Sequence, residues 1–171
     1  MRYDRMEYKN AEDIYRRYMN ELYHYLLQLS GHPQTAEDLV QDTFIKAYTY
    51  LDSYDEITIR SWLFKVARNA YIDWYRREKK QVPTDPLDLS AANTGTSISP
   101  ESHYLILEDI NRWLHAVYAL PKPYKEVILL RDYYSFSYEE ISSVLQISNA
   151  NVKVRLFRAR QKINEVIQDG L

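Results

Sequence analysis

Apolar residues recur every three to four positions along most of the chain, a period that predicts helices rather than strands. Asn10 can cap a first helix with Asp13 at its third position, which puts Ile14, Tyr18, Leu22, Tyr25 and Leu29 on one stripe. Ser30, Gly31, His32 and Pro33 stop it. Thr35, with Asp38 three residues on, is a near capping box and opens a second helix whose stripe is Leu39, Val40, Phe44, Ala47, Tyr48 and Leu51. After a loop near Asp52 to Thr58, a long helix from about Ile59 to Lys80 turns Leu63, Val66, Ala67, Ala70 and Trp74 inward. Amphipathic helices with short connections make a small bundle.

The period fails in QVPTDPLDLSAANTGTSIS, Gln81 to Ser99, where Pro83, Pro86, Gly95 and small polar residues read as a flexible linker. Beyond it, Ser99 as N-cap and Pro100 at the first helical position open a helix carrying Leu107, Ile110, Leu114 and Val117. Pro121 and Pro123 break it, and Tyr124 to Asp132 is a short, strongly apolar helix. Ser137 and Glu140 form a full capping box for a helix through Leu145, and Ser148 caps a last helix to about Gln168. A short helix, a three-residue turn and a longer helix make a helix-turn-helix. The expected fold is all-α: a helical bundle over 1–80, a linker over 81–100 and a helix-turn-helix domain over 101–171.

Composition narrows the chemistry. The 171 residues include no Cys, which removes disulfides, thiolate catalysis and Cys-based metal sites and suits a reducing cytoplasm. The starting segment MRYDRMEYKN carries charges where a signal peptide needs an apolar stretch, and no run approaches the roughly 18 apolar residues of a membrane span. A soluble, cytoplasmic protein is expected. His24, His32, His103 and His115 lack metal-ligand spacing, and no paired carboxylates stand beside a nucleophile, so neither metal, cofactor, small-molecule substrate nor enzyme activity is expected.

Net charge is −2, which disfavours a protein that coats nucleic acid by charge along its whole length. The sum hides a pattern: residues 1–59 carry −5, 60–80 carry +5, 81–147 carry −5 and 148–171 carry +3. In the last helix Val152, Leu156, Ala159 and Ile163 fall within about 40° of one another and form the buried stripe. Opposite stand Ala150, Val154, Phe157 and Gln161, flanked by Asn151, Lys153 and Arg158. Such a face can read a major groove, where Arg or Lys meets guanine, Asn meets adenine and apolar groups meet the thymine methyl. The alternative is that Phe157 packs on the other half of the protein. Arg155, Arg160 and Lys162 lie nearer the buried edge and suit phosphate contacts or snorkelling.

The long helix SWLFKVARNAYIDWYRREKK interleaves aromatic and basic residues. Asn69, Asp73, Arg76, Arg77 and Lys80 share a face, while Trp62, Tyr71 and Tyr75 offer flat surfaces suited to stacking single-stranded bases. Trp62 and Trp74 fit a core as readily. Tyr15, Tyr18 and Tyr25 read as packing. The second helix contrasts with this basic run, since Glu37, Asp38, Gln41 and Asp42 make an acidic face that can be merely solvated or can dock a basic partner.

Four segments together carry a resemblance: AEDLVQDTFIKAY from Ala36, SWLFKVARNAYIDWYRR from Ser61, LPKPYKEVILLR from Leu120 and SYEEISSVLQISNANVKVRLFRARQKI from Ser137. In this order, and with the linker, the chain resembles bacterial sigma factors of the extracytoplasmic function (ECF) group of the sigma-70 family. The resemblance implies a non-enzymatic subunit that binds core RNA polymerase and directs promoter-specific transcription. It further implies that Asp38, Gln41, Asp42 and Phe44 bind the β′ clamp helices, and that Asn69 captures a flipped −10 base. The loop carrying Ser53 and Tyr54 forms that pocket, and Trp62, Asp73, Arg76 and Arg77 lie in the melting and −10 region. Asn151, Lys153, Val154, Phe157 and Arg158 match positions that touch the −35 element, and the preceding helices would meet the β-flap. A cognate anti-sigma factor, often membrane-anchored in the family, is a further implied partner. Val154 stands where a small polar residue is frequent, and Gln146 and Ser135 where Gly is frequent; a left-handed Gln146 would cost about 1 kcal/mol. The competing reading is a two-domain regulator whose helix-turn-helix binds an operator without joining the polymerase.

Overall fold

The computed structural model describes residues 11–50, 56–81 and 104–170, and every regular element among them is helical. They fall into two compact units that divide between residues 84 and 85. Asn10, Leu51, Ser53, Tyr54, Ser99, Pro100 and the linker from residue 82 lie outside the described residues, as does the side chain of Leu107.

The first unit is three helices, α1 (Ala11–Ser30), α2 (Pro33–Tyr50) and α3 (Glu56–Gln81), each packed on the other two. The expected α1 stripe is buried at all five positions, joined by Leu26. Gly31 ends α1 in the left-handed conformation that glycine adopts without strain, with φ 73°, and its amide donates to the Leu27 carbonyl at 2.8 Å. Pro33, expected only to stop α1, instead occupies the first position of α2, where its missing N–H costs nothing. Helix α2 therefore starts two residues before the expected Thr35 cap, and the Ala36 amide already donates to the His32 carbonyl.

On α2 the expected stripe holds at Leu39, Val40, Phe44 and Ala47, with Ala36 and Thr43 added; the Thr43 hydroxyl donates to the Leu39 carbonyl, which lets it be buried. Tyr48 departs from it at 53% exposed. Its phenol lies toward the edge of the stripe and keeps its hydroxyl in water. Helix α3 begins three residues earlier than the period suggests and includes Gln81, the first residue of the expected linker. Leu63, Ala67 and Ala70 are buried, together with Phe64 and Tyr71, whereas Val66 and Trp74 are only half-buried. Arg60 on α3 forks onto Glu21 on α1, its Nε donating to the two carboxylate oxygens at 3.1 and 3.2 Å.

The second unit packs α4 (Tyr104–Tyr118), α5 (Lys122–Ile128) and α6 (Tyr138–Leu145) against α7 (Asn149–Asp169). Helix α4 turns Ala116 and Val117 fully inward, but Leu114 is half-buried and Ile110 is 45% exposed, so the expected stripe is buried only toward its C-terminal end. Pro123 does not delay α5, because near a helix start it interrupts no hydrogen bond. The apolar run continues as a π-helical turn over Leu129–Tyr133, and Val127 to Leu130 are completely buried.

Candidate nucleic-acid interface

Local rules fix α6 and α7 tightly. Ser137 and Glu140 make the expected capping box: the Glu140 amide donates to Ser137 Oγ at 3.1 Å and the Ser137 amide to Glu140 Oε2 at 2.7 Å. Ser148 caps α7 by accepting from the Asn151 amide at 3.2 Å. Between the helices Gln146 is left-handed, with φ 54° and ψ 47°, and the following Ile147 amide reaches back to the Ser142 carbonyl at 3.2 Å. Ser135, before α6, also has a positive φ of 61°. Both positions where glycine was expected thus adopt the conformation glycine favours.

Val152, Leu156, Ala159 and Ile163 are buried as expected, which fixes the outward face of α7. Asn151, Lys153, Val154, Phe157 and Arg158 are all exposed, and Phe157 reaches 66%. Phe157 therefore does not pack within its own unit. Arg158 and Asn151 have no side-chain partner among the described residues, so both are available to base edges. Arg160 behaves differently: it bonds Asp132 at 2.9 Å, and that charged partner holds its pKa above the ordinary guanidinium value. Lys153 stands with its Nζ 5.9 Å from the Tyr138 ring centre.

In the first unit, Asp38, Gln41 and Asp42 are exposed along α2, with Asp38 accepting from the Gln34 amide at 3.3 Å. Phe44, expected beside them, is 4% exposed and meets the Tyr15 ring edge-on at 4.8 Å. It cannot touch a partner on that face; it braces the helix from behind. Exposed Ile45 takes the apolar place that Phe44 vacates.

On α3, Asp73, Arg76 and Arg77 are exposed, Asn69 and Trp62 are half-buried, and the Trp62 ring meets Tyr50 edge-on at 6.4 Å. Tyr71, read as a stacking surface, is 5% exposed and is a core residue flanked by Trp74 and Tyr75, each 5.9 Å away. Tyr75 is half-buried under the Lys79 ammonium at 4.8 Å. The packing of α2 on α3 then does something that periodicity could not show: Asp42, Ile45 and Lys46 from one helix and Asp73, Arg76 and Arg77 from the other line a single groove of about 530 Å³, floored by Ala70. None of these five charged side chains is ion-paired among the described residues.

No group of three or more His, Asp or Glu among the described residues could hold a metal, and no helix there is long and apolar enough to cross a membrane.

Comparison with known proteins agrees with this division into two units. Residues 14–81 match the family model for sigma-70 region 2, and residues 110–163 that for sigma-70 region 4. The ECF RNA polymerase sigma factor SigM of Bacillus subtilis (strain 168) is 36% identical over 160 residues, covering 94% of this chain and 96% of the relative. The RNA polymerase sigma factor YlaC of the same organism is 34% identical over 157 residues, 91% of each chain. Among solved structures, the sigma factor RpoE in complex with the anti-sigma factor NepR from Bartonella quintana shares the fold, with a TM-score of 0.68 at 24% identity over 92% of this chain and 98% of that one. CnrH in complex with the cytosolic domain of CnrY gives a TM-score of 0.63 at 23% identity over 93% and 88%.

Proposed function

The chain belongs to the sigma-70 family, among its ECF sigma factors, and has the function of an RNA polymerase sigma factor; from that premise we propose how its residues divide the work. The first unit docks core polymerase through the exposed acidic face of α2, with Asp38, Gln41 and Asp42 meeting the β′ clamp helices. The polar face of α3 holds melted −10 bases, with Asn69 reading a flipped base through its paired donor and acceptor and Asp73, Arg76 and Arg77 lining the approach. Trp62, Ser53 and Tyr54 complete that site. The second unit reads −35 duplex with Asn151, Lys153, Val154, Phe157 and Arg158, and its earlier helices meet the β-flap.

The observation that carries this reading is α7: an apolar and cationic face, with Phe157 two-thirds exposed, on the second helix of a doubly capped helix-turn-helix. Solvation alone gives no reason to expose a phenylalanine between basic residues, whereas a thymine methyl does. Strand opening needs no bond chemistry, because unstacking costs a few kcal/mol and pocket contacts offset it. The protein works in the cytoplasm, and an anti-sigma factor holds it inactive; the anti-sigma factor NepR does bind a sigma factor of this fold, RpoE, and the cytosolic domain of CnrY binds CnrH, which shares the fold. The test is reconstitution. Core polymerase plus this chain should start specific transcripts from a promoter library, and each unit's contacts should be readable as enriched −35 and −10 bases. Operator binding without any polymerase-dependent transcript would favour the free regulator instead.

A further inference from the structure

We infer that Tyr138 is a positioning residue for the recognition helix, acting through Lys153; this rests on the proposal that α7 reads −35 DNA. Four local restraints fix where Tyr138 stands. Ser135 is left-handed, Phe136 is fully buried, the Phe136 carbonyl accepts from Arg131 Nη1 at 2.8 Å, and the Ser137 capping box closes the turn that carries Tyr138. The ring so placed gathers cations from two elements. Arg131, at the π-helical turn, lies with its guanidinium carbon 4.7 Å from the ring centre, and Lys153 on α7 brings its ammonium to 5.9 Å. Both distances are within the reach of a cation–π contact.

Arg160 stands seven residues beyond Lys153, two turns along and on the same side of α7, and it bonds Asp132 at 2.9 Å. Tyr138 and Asp132 therefore contact α7 at the two ends of a two-turn interval, one from α6 and one from the π-helical turn. The consequence for recognition concerns entropy. A free lysine on an exposed helix samples many rotamers, and ordering it on DNA costs free energy at the moment of binding. An aromatic face that already holds the ammonium removes part of that cost. Arg131 plays the complementary part, since its bond to the Phe136 carbonyl makes it an anchor for the ring.

The test uses the full chain with core polymerase and a promoter library randomised at −35 over a fixed −10 element. Tyr138→Leu should lower −35-dependent affinity about 2- to 5-fold, as loss of a partly exposed cation–π contact implies. Tyr138→Phe keeps the ring and should bind within a factor of two of the parent. In a Lys153→Ala background, Tyr138→Leu should cost nothing further, because the lysine it positions is gone. Thermal melting accompanies each variant, and Tyr138→Met serves as a second replacement if the leucine lowers helix content. Equal losses for Phe and Leu, or an undiminished loss in the Lys153→Ala background, would overturn the inference. If the parent itself enriches no −35 bases, the premise about α7 has failed instead.

Discussion

Two positions in the second unit hold a left-handed backbone with the wrong residue for it. Gln146 (φ 54°) ends α6, and Ser135 (φ 61°) precedes it. Each carries a Cβ that crowds the following carbonyl, at about 1–2 kcal/mol relative to a right-handed residue. Glycine removes that cost but makes the unfolded chain more flexible, which returns about 0.4–1 kcal/mol. Net stabilisation should therefore be about 0.5–1 kcal/mol for Gln146→Gly, and similar for Ser135→Gly. Neither side chain is lost from an interaction, since both are exposed and make no hydrogen bond among the described residues. For a domain this small, about 1 kcal/mol moves Tm by about 4–8 °C. Calorimetry on the full chain measures the shift, and hydrogen exchange of the α6 and α7 amides assigns it to the second unit. Gln146→Ala is the control, because alanine keeps the Cβ and should gain nothing. If alanine and glycine give the same Tm, or glycine lowers it, the backbone argument is refuted.

Four further substitutions separate stability from recognition. Phe44→Ala should destabilise the first unit by about 3–5 kcal/mol, because it empties a core site against Tyr15, whereas Asp42→Ala should change stability by less than about 0.5 kcal/mol and weaken core polymerase binding; urea melts and polymerase pull-downs on both variants check this, and a stable Phe44→Ala that loses polymerase would mean the ring makes the contact itself. Asn69→Ala should slow open-complex formation, measured by permanganate reactivity of melted thymines, more than it weakens polymerase binding; equal losses would remove Asn69 from the base pocket. Arg158→Ala should cost about 1–3 kcal/mol of −35 recognition and relax the preference at one base position, with an unchanged preference counting against a base contact.

The sequence made the second unit's reading end almost fully legible. A capping box, a second serine cap and a 100° stripe each state a local rule, and α6 and α7 obey all three because nothing in the packing opposes them. The misses share a cause. Ile110 and Tyr48 sit on correctly read helices, but period alone does not say how wide a strip the neighbouring helices cover, and here that strip stops short of both. Tyr71 errs the other way, since an aromatic beside charged neighbours reads as exposed until the partner helix is in place, whereas the period put Phe44 in the core and only the resemblance gave it a partner contact. Pro33 could have been read correctly, since a proline two residues after a glycine stop fits a helix's first position as well as a helix's end.

The groove between α2 and α3 was beyond the reach of sequence, because its walls are 30 residues apart in the chain and meet only through packing. It changes what the charge pattern means. The +5 of residues 60–80 reads along the chain as a basic segment for nucleic acid, yet Arg76 and Arg77 share their groove not only with Asp73 of the same helix but with Asp42 and Lys46 of another. A phosphate approaching the free protein there meets three cations and two carboxylates, so much of the attraction cancels. On the proposed assignment, polymerase docks on Asp42 and pairs it with a cation of its own. The same groove then presents a larger positive charge to the promoter. Coupling of this kind is reciprocal, so promoter DNA must tighten polymerase binding by the same factor by which polymerase tightens promoter binding. An acidic face and a basic face that read as two separate sites along the chain are, at this groove, a single electrostatic unit.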